Sequence, residues 1–480
     1  MTTCPVHIRA LERPNDEAIV CAEARLSWAE LDARVTSLAG RLAAEGIAAG
    51  DCIALQSHNS LALVLHLLAL PRLGARAVML NARLTEHETA ALLERLRPRR
   101  VLALESPSPQ PSPLRGEREL LDIHPSAGAI LFTSGTTGVP KAALLRWKAF
   151  EASARASTQR LGRGRWLCTL PLFHVGGLAM LWRCVHDGST LVLHERFDEH
   201  AFLETLARER ITHASLVAAT LQRVLACGVP PLPYLEAVLV GGGPTPQRLV
   251  DAARTCGLPV RLTYGLTEAC SQVTTQPSAG GYDAGTPLDG TEVKLSPEGE
   301  ILVRGPTLFL CYLFDERATK AAKPDGWLHT GDFGSLDAQG RLTVLGRRND
   351  LLISGGENVY PAEIEAALLQ HPTVRDAGVL ALDDERWGQV PLALVVTRDG
   401  KLDEAALRDW CKTRLAAFKV PAHFRPVDAL PRNAMGKLDR RALAALGGAR
   451  PTAAQAPPAS PPADFAGGYA PSPAMGGGRP

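Results

Sequence analysis

Short apolar segments alternate with helical patterns through the first half of this 480-residue chain, and this alternation restricts the fold more than any other feature. The segments lie at 52–56, 77–80, 101–104, 166–170, 214–216, 237–240 and 260–263. A helix is expected after Ser27, because Glu30 completes a capping box and apolar residues then recur at helical spacing until Gly46. Buried strands separated by helices form parallel sheets, so the sequence predicts an α/β fold of helix-covered parallel sheets.

Two changes of pattern divide the rest of the chain. Residues 283–346 contain short alternating strands, which predict a small β-rich subdomain at the end of a large domain, 1–346. A hinge at 347–350 precedes a smaller α+β domain, 351–446, with helices at 361–370 and 403–415 and strands at 377–381 and 392–396. The tail, 447–480, is rich in Pro, Ala and Gly, so we expect it to be disordered.

The composition excludes several classes of protein. Hydrophobic residues make up 46% of the chain and charged residues 21%, with a net charge of +2, so neither nucleic acid nor a membrane surface is indicated as a partner. The most apolar run, 61–70, is too short to span a bilayer and is expected to be a buried helix. The N-terminus lacks a signal-peptide core, and the ten cysteines lack metal-type spacing, so we expect reduced thiols and a cytoplasmic protein.

A run of hydroxyl and glycine residues ends in a lysine directly behind the apolar segment 128–132. It comprises Thr133, Ser134, Gly135, Thr136, Thr137, Gly138, Val139, Pro140 and Lys141. Glycines let the backbone approach an anion, hydroxyl and N–H groups donate to it, and the lysine adds positive charge. The spacing differs from that of a Walker A loop. By itself, the run is either a phosphate-binding loop or an ordinary polar turn.

Four further segments carry residue types suited to a nucleotide. They are Gly241, Gly242, Gly243 and Pro244; Tyr264, Gly265, Thr267 and Glu268; Asp332 with Arg347; and Lys437. The first two follow predicted strands, where the first offers bare backbone and the second offers an aromatic face, a hydroxyl and a carboxylate suited to Mg²⁺. The third pairs an acid for ribose hydroxyls with a cation. Taken alone, each segment is also consistent with an ordinary turn or with solvated surface residues.

Together and in order, these motifs resemble those of the adenylate-forming superfamily, which includes acyl-CoA synthetases, peptide-synthetase adenylation domains and luciferases. The resemblance covers residues 4–446. It implies that a carboxylate attacks the α-phosphate of ATP to give an acyl-adenylate and pyrophosphate, and that a thiol then displaces AMP. It also implies Mg²⁺, CoA as co-substrate, and a small mobile C-terminal domain that rotates between the two reactions.

The resemblance further implies roles for single residues. Residues 134–141 would hold the β- and γ-phosphates, Thr267 would contact the α-phosphate, Glu268 would bind Mg²⁺, and Lys437 would bridge the acyl carboxylate and the α-phosphate. Tyr264 and the 241–244 turn would flank adenine.

The remaining implied roles concern ribose, the hinge and CoA. Asp332 and Arg347 would hold the ribose. The pivot position, often acidic in the family, is Asn349 here, and this departure puts the energetics of the hinge in question. Gly355 and Gly356 would line a tunnel for the pantetheine arm of CoA after rotation.

Segments 171–177, 241–244, 267–274, 350–358 and 387–391 are similar to those of o-succinylbenzoate-CoA ligases of menaquinone biosynthesis. That substrate is a keto acid with a second, aromatic carboxylate, so its pocket needs a hydrophobic wall and polar partners. The candidates for this acyl site are Phe173, His174, Ser271, Gln272 and Thr274. Arg165 and Arg183 are candidates for the distal carboxylate, although no pattern assigns either of them to it.

Other functions stay open at this point. A general aromatic or fatty acyl-CoA ligase would share the ATP site but would not need a partner for a distal anion. A peptide-synthetase adenylation domain is disfavoured because no carrier domain pattern follows, and a non-catalytic nucleotide-binding scaffold is disfavoured because Glu268 and Lys437 are both present. The predicted partners are a small-molecule carboxylic acid, ATP and CoA, with no nucleic acid, no integral membrane segment and a homodimer as a candidate assembly.

Overall fold

The computed structural model describes residues 4–104, 127–133, 140–347, 350–354, 357–384, 387–432 and 438–448. Within these residues, helices surround four sheets. The α-helices are α1 (Pro5–Glu12), α2 (Trp28–Ala44), α3 (Leu61–Ala69), α4 (Glu86–Leu96), α5 (Trp147–Leu161), α6 (Val175–Asp187), α7 (Glu199–Arg208), α8 (Ala218–Ala226), α9 (Gln247–Thr255), α10 (Glu316–Ala322), α11 (Pro361–Leu369), α12 (Glu404–Lys412) and α13 (Arg440–Gly447).

The largest described sheet has nine strands and is parallel through its centre. In spatial order its strands are β14 (Thr286–Pro287), β13 (Ser271–Thr275), β12 (Val260–Leu266), β11 (Ala237–Val240), β10 (His213–Leu216), β8 (Arg165–Cys168), β9 (Thr190–Leu193), β1 (Glu17–Val20) and β2 (Arg25–Ser27). The outer strands β13, β14 and β2 run antiparallel to their neighbours.

A second sheet has six described strands and joins parallel to antiparallel pairing. Its order is β17 (Cys311–Tyr312), β7 (Lys141–Arg146), β6 (Ala127–Thr133), β4 (Arg76–Leu80), β3 (Cys52–Gln56) and β5 (Arg100–Ala103). Strands β3, β4, β5 and β6 pair in parallel, whereas β7 folds back on β6 and pairs with β17. The chain that returns from β6 to β7 is the hydroxyl and glycine run.

Two further sheets follow along the chain. One is antiparallel, with β15 (Glu292–Leu295), β16 (Glu300–Arg304), β18 (Leu328–Leu336) and β19 (Leu342–Arg347). The other contains β21 (Glu357–Val359), β20 (Leu352–Ser354), β23 (Gly388–Thr397) and β22 (Val374–Asp384), with β24 (His423–Pro426) paired to β23. This last sheet, with α11, α12 and α13, forms the small C-terminal domain.

The predicted fold class is confirmed, with helix-covered parallel sheets, a β-rich subdomain and a small α+β domain. Helix α2 begins with the predicted capping box, since Ser27 Oγ accepts from the Glu30 N–H and Glu30 accepts from the Ser27 N–H. The apolar run at 61–70 is the buried helix α3, which continues as a 3₁₀ turn, Leu70–Leu73. None of the helices in the described ranges combines the length and apolarity needed to cross a bilayer.

Two predicted segments differ from the structure. The strand predicted at 166–170 ends at Cys168, and the backbone then turns. Tyr264 and Gly265 were expected to follow a strand, but β12 continues to Leu266 because β13 folds back and pairs with it. Strand β13 was not predicted, since its sequence is mostly polar although four of its five residues are buried.

Candidate active site

Three of the predicted segments of the large domain lie at one edge of the nine-stranded sheet. The segment that leads to His174 follows β8, Gly241 follows β11, and Tyr264 lies near the end of β12. These strands are parallel and lie side by side with β10 between the first two. Ligands of open α/β sheets bind outside the carboxyl ends of the strands, so this edge is the candidate active site.

The ends of the hydroxyl and glycine run are held by strand pairing. Thr133 ends β6 and Lys141 begins β7, and the two residues are direct partners across the antiparallel pair. Lys141 Nζ lies 4.9 Å from the centroid of the Tyr312 ring, a cation–π contact that keeps its charge at the base of the run. Ser134, Gly135, Thr136 and Thr137 lie outside the described residues.

Glu268 is oriented by a residue that the sequence did not indicate. It lies in a 3₁₀ turn, Thr267–Ala269, where its carbonyl accepts from the Phe309 N–H at 2.7 Å. The Tyr312 hydroxyl donates to Glu268 Oε1 at 2.7 Å. Burial and the Glu268 charge raise the pKa of Tyr312 above its ordinary value, so the phenol keeps its proton and remains a donor.

This carboxylate suits Mg²⁺ bound together with a phosphate ligand. Within the described ranges, no cluster of three or more His, Cys, Asp or Glu side chains could hold a metal ion. Glu268 would hold a cation together with the phosphates of a bound nucleotide, and the cation would supply positive charge there. Mg²⁺ commonly binds nucleotide phosphates in this way.

Asp332 lies at the centre of a polar cluster next to β12. It is 5% exposed, and its two oxygens accept from the Tyr264 hydroxyl at 2.7 Å and from Arg347 Nε at 2.9 Å. Asp332 and Arg347 are cross-strand partners in β18 and β19. Burial, together with the Asp332 charge, raises the pKa of Tyr264 well above its ordinary value. Each carboxylate oxygen has a further lone pair, so the cluster can accept from ribose hydroxyls.

The glycine turn after β11 approaches β12 too closely for any side chain. A Cβ on Gly241 would lie 2.7 Å from Thr263 Cγ2 and 2.8 Å from the Thr263 carbonyl oxygen. Gly242 has a φ of +81°, which favours glycine. Gly243 and Pro244 are exposed. The turn therefore presents backbone at the edge of the site, beside the strand that carries Tyr264.

The chain directly after Glu268 has an unusual backbone. The pairing of β12 and β13 shifts register between Tyr264 and Gly265, and a Cβ on Gly265 would lie 1.7 Å from the Ser271 carbonyl oxygen. Cys270 and Ser271 have φ values of 55° and 88°. Residues held in this region typically cost about 1–3 kcal/mol each and cluster at functional sites. The half-buried Ser271 therefore lies at the start of β13, just after the turn that carries Glu268.

Phe173 and His174 lie side by side in the turn before α6, with ring centroids 4.7 Å apart. Asn59 holds this turn and was not predicted. Its amide nitrogen donates to the carbonyls of Leu170 and His194 at 3.0 Å each, and its oxygen accepts from the Leu172 N–H at 2.8 Å. A buried Asn59 therefore fixes the backbone from which the two aromatic candidates extend.

The buried side chain of Gln272 is held by hydrogen bonds to other protein residues. It is 4% exposed, and its amide oxygen accepts from Ser157 Oγ at 2.8 Å and from Arg183 Nη2 at 2.5 Å. Its nitrogen donates to Thr275 Oγ1 at 2.8 Å. Thr274 is also buried and donates to the Ala284 carbonyl. Both side chains therefore support the surrounding structure.

The two arginines considered for a distal carboxylate have different surroundings. Arg165 begins β8, at the end opposite His174, and is paired with Glu17 and Glu209 at 2.6 and 3.0 Å. Arg183 lies on α6, is 3% exposed, and stacks over Trp166 with its Cζ 4.3 Å from the ring centroid. Its Nε and Nη1 have no hydrogen-bond partner within the described residues. Arg183 therefore has two buried nitrogens without a partner among the described residues, whereas Arg165 has one, its Nε.

The remaining predicted residues belong to the small-domain side of the site and to the turn that carries Glu268. Asn349, Gly355, Gly356 and Lys437 lie outside the described residues, so their roles stay predictions. Thr267 begins the 3₁₀ turn beside Glu268, and its contact with phosphate stays a prediction.

Solved structures of the o-succinylbenzoate CoA synthetase MenE from Bacillus subtilis are similar to this chain. The complex with the acyl-adenylate intermediate OSB-AMP has a TM-score of 0.82 at 36% identity, covering 92% of this chain and 97% of the other. The complex with ATP and magnesium ion gives 0.81 at 35% identity, covering 92% and 99%. A double mutant bound to the product analogue OSB-NCoA gives only 0.67, at the same identity and coverage as the acyl-adenylate complex.

Sequence comparison leads to the same group of proteins. The chain is 40% identical over 470 residues to the 2-succinylbenzoate–CoA ligase of Bacillus licheniformis, covering 91% of this chain and 98% of that protein. It matches the family model of AMP-binding enzymes over residues 6–313 and that of the AMP-binding enzyme C-terminal domain over 363–437. The chain therefore belongs to the family of AMP-binding enzymes.

Proposed function

We propose that the protein is an ATP-dependent ligase that joins 2-succinylbenzoate to CoA, an acid–thiol ligase of menaquinone biosynthesis. Its similarity to the Bacillus licheniformis ligase extends over nearly the full length of that relative. The proposal is supported by a carboxylate suited to Mg²⁺ at Glu268, an acceptor cluster suited to ribose around Asp332, and the positive charge of Lys141. Cytoplasmic ATP and CoA would be its co-substrates.

The reaction has two steps. A carboxylate oxygen of the acid attacks the α-phosphorus of ATP, the bond to the bridging oxygen breaks, and pyrophosphate leaves with that electron pair. The CoA sulfur then attacks the acyl carbon, loses its proton, and AMP leaves. Mg²⁺, when bound, neutralises charge on the phosphates.

The protein's task in the first step is to hold two anions together in line. Glu268, oriented by Tyr312, would hold the cation beside the phosphates, and Lys141 would add positive charge at the base of the run. Asp332 would fix the ribose through its free lone pairs. Lys437 would approach from the small domain and stabilise charge that develops between the carboxylate and the α-phosphate.

Arg183 is the residue that we propose to determine which acid is bound. A buried guanidinium with unpaired donors is costly unless an anion completes its hydrogen bonds. Burial lowers the pKa of Arg183 to about 10, so the group still carries its charge at neutral pH. It is bonded to Gln272, the residue after Ser271, and lies on the helix that begins after His174. We propose that its free donors hold the ring carboxylate of 2-succinylbenzoate.

Substrate comparison tests this function. Pyrophosphate release and CoA thioester formation are measured with 2-succinylbenzoate, with 4-oxo-4-phenylbutanoate, which lacks the ring carboxylate, and with benzoate and octanoate. We expect 2-succinylbenzoate to have the highest kcat/KM. Faster turnover of benzoate or octanoate would instead support the general aromatic or fatty acyl-CoA ligase, and no pyrophosphate with any acid would support a non-catalytic scaffold.

The variant Arg183→Met adds a matched comparison, because methionine keeps much of the packing over Trp166 while removing the charge. Hydrogen bonds to charged groups contribute about 1.5–3 kcal/mol, so kcat/KM for 2-succinylbenzoate should fall about ten- to hundredfold. The phenylbutanoate analogue should be far less affected. Equal losses for both acids would show that Arg183 serves only packing.

A homodimer is part of the proposal, and light scattering of the purified protein measures its mass directly. A monomeric mass at micromolar concentration would remove that part and leave the proposed chemistry unchanged.

A further inference from the structure

One arginine connects the large domain to the start of a strand in the small domain. Arg248 lies in α9 and is half-buried. Its Nη1 donates to the carbonyl oxygen of Val374 at 2.9 Å, and its Nη2 donates to that of Arg375 at 2.8 Å. One guanidinium thus bonds two successive backbone carbonyls across the domain boundary, and such charge-assisted bonds are stronger than neutral ones.

The acceptors lie at an irregularity of β22. The pairing of β22 with β23 shifts register between Val374 and Asp376, so Arg375 is the extra residue of a bulge. A bulge leaves backbone groups unpaired within its sheet, and Arg248 satisfies the two carbonyls here. Because β22 is an edge strand of the described sheet, its outer carbonyls face away from β23, and the docking contact lies where the bulge brings two successive carbonyls within reach of one guanidinium.

The same bulge contacts a residue that precedes Lys437 in the sequence. The Asp376 carboxylate accepts from Arg432 Nη2 at 2.7 Å, and Arg432 forms an isolated β-bridge with Leu438. These two residues enclose 433–437 in the sequence. A short chain of contacts therefore runs from α9 through the bulge to the base of the lysine segment.

The arrangement of the domains bears on the step that this contact serves. The chain superposes more closely on the Bacillus subtilis acyl-adenylate complex than on the product-analogue complex, although both comparisons cover equal shares of the chains. The contacts of Arg248 are thus seen in an arrangement that resembles the acyl-adenylate complex more than the product-analogue complex.

We infer that Arg248 is a positioning residue for adenylate formation: it docks the β22 bulge on α9 and so holds the small domain where Lys437 serves the first reaction. This inference rests on the proposed function, because that function assigns the role of Lys437. Arg248 touches no substrate in this role. Its loss should therefore affect one half-reaction and spare the other, which a general loss of packing would not do.

The test compares three variants in both half-reactions. Arg248→Met removes both hydrogen bonds, and Arg248→Lys keeps the charge but cannot form the bidentate contact with the two carbonyls. Arg254→Met is the matched control, since Arg254 lies on the same helix and donates to the Gly281 carbonyl at 2.9 Å within the large domain. Adenylate formation is measured as single-turnover pyrophosphate release, and thioester formation is measured with supplied acyl-adenylate and CoA.

We expect adenylate formation to slow about ten- to hundredfold in Arg248→Met, and less in Arg248→Lys, which also serves if the first variant fails to fold. Thioester formation should stay within about twofold of wild type, and Arg254→Met should change neither rate. Equal losses in both half-reactions, or no loss in either, would overturn the inference. If the wild-type protein activates a different acid, the proposed substrate fails, but the same comparison with that acid still decides the role of Arg248.

Discussion

The hydrogen bond from Tyr312 to Glu268 gives the sharpest prediction for the proposed Mg²⁺ site. Tyr312→Phe deletes one hydroxyl and leaves the ring, which lies 4.7 Å from the Phe309 ring and under Lys141. The variant therefore isolates the 2.7 Å bond to Glu268 Oε1. Without that donor the carboxylate loses the hydrogen bond that fixes its orientation, which we propose is toward the phosphates. Groups that orient metal ligands typically contribute ten- to hundredfold to affinity or activity.

We expect the free Mg²⁺ concentration for half-maximal pyrophosphate release to rise by about tenfold or more, equivalent to about 1.4 kcal/mol. The loss in unfolding free energy should be small, since the half-buried Glu268 can take a water in place of the phenol. Mg²⁺ titrations at saturating acid, with free Mg²⁺ buffered, provide the assay, and urea denaturation provides the stability.

The matched control is Tyr282→Phe, because the Tyr282 hydroxyl also donates to a carboxylate, Asp251 Oδ1 at 2.7 Å, on the exposed surface of α9. It should leave the Mg²⁺ dependence unchanged. If Tyr312→Phe shows the same Mg²⁺ dependence and the same rate as wild type, Tyr312 does not orient Glu268 for the cation, and the reasoning is wrong.

Three further predictions concern other parts of the molecule. Lys437→Ala should slow pyrophosphate release about 10²–10³-fold, as loss of a transition-state donor does, and should spare thioester formation from supplied acyl-adenylate; equal losses would contradict domain rotation. Asp332→Asn should raise KM for ATP about tenfold, because it weakens the proposed contact to ribose; dideoxy-ATP, which lacks the hydroxyls, should show little change, and a similar rise would refute the ribose role. Ser27→Ala should lower the free energy of unfolding by about 1 kcal/mol through loss of the capping box with Glu30, with kcat unchanged; urea denaturation measures it, and full stability would contradict the capping role.

The local sequence pattern was sufficient to predict much of the fold. Helix α2 was predicted because its cap and its apolar face both lie within one stretch of sequence, and strands β3 and β11 matched the predicted bounds. Strand β13 was missed because its buried residues include Gln272 and two threonines, whose burial depends on partners far along the chain. Polar strands carry no apolar alternation, so periodicity does not reveal them.

Motif order along the sequence was likewise sufficient to indicate the family and the chemistry, because each motif is a short run of residues. Tertiary structure decided how those motifs are supported. Tyr312 lies 44 residues from Glu268, Arg183 lies 89 from Gln272, and Arg248 lies 126 from Val374. Contacts over such separations leave no trace in local pattern, because they arise only when packed strands and helices bring distant side chains together.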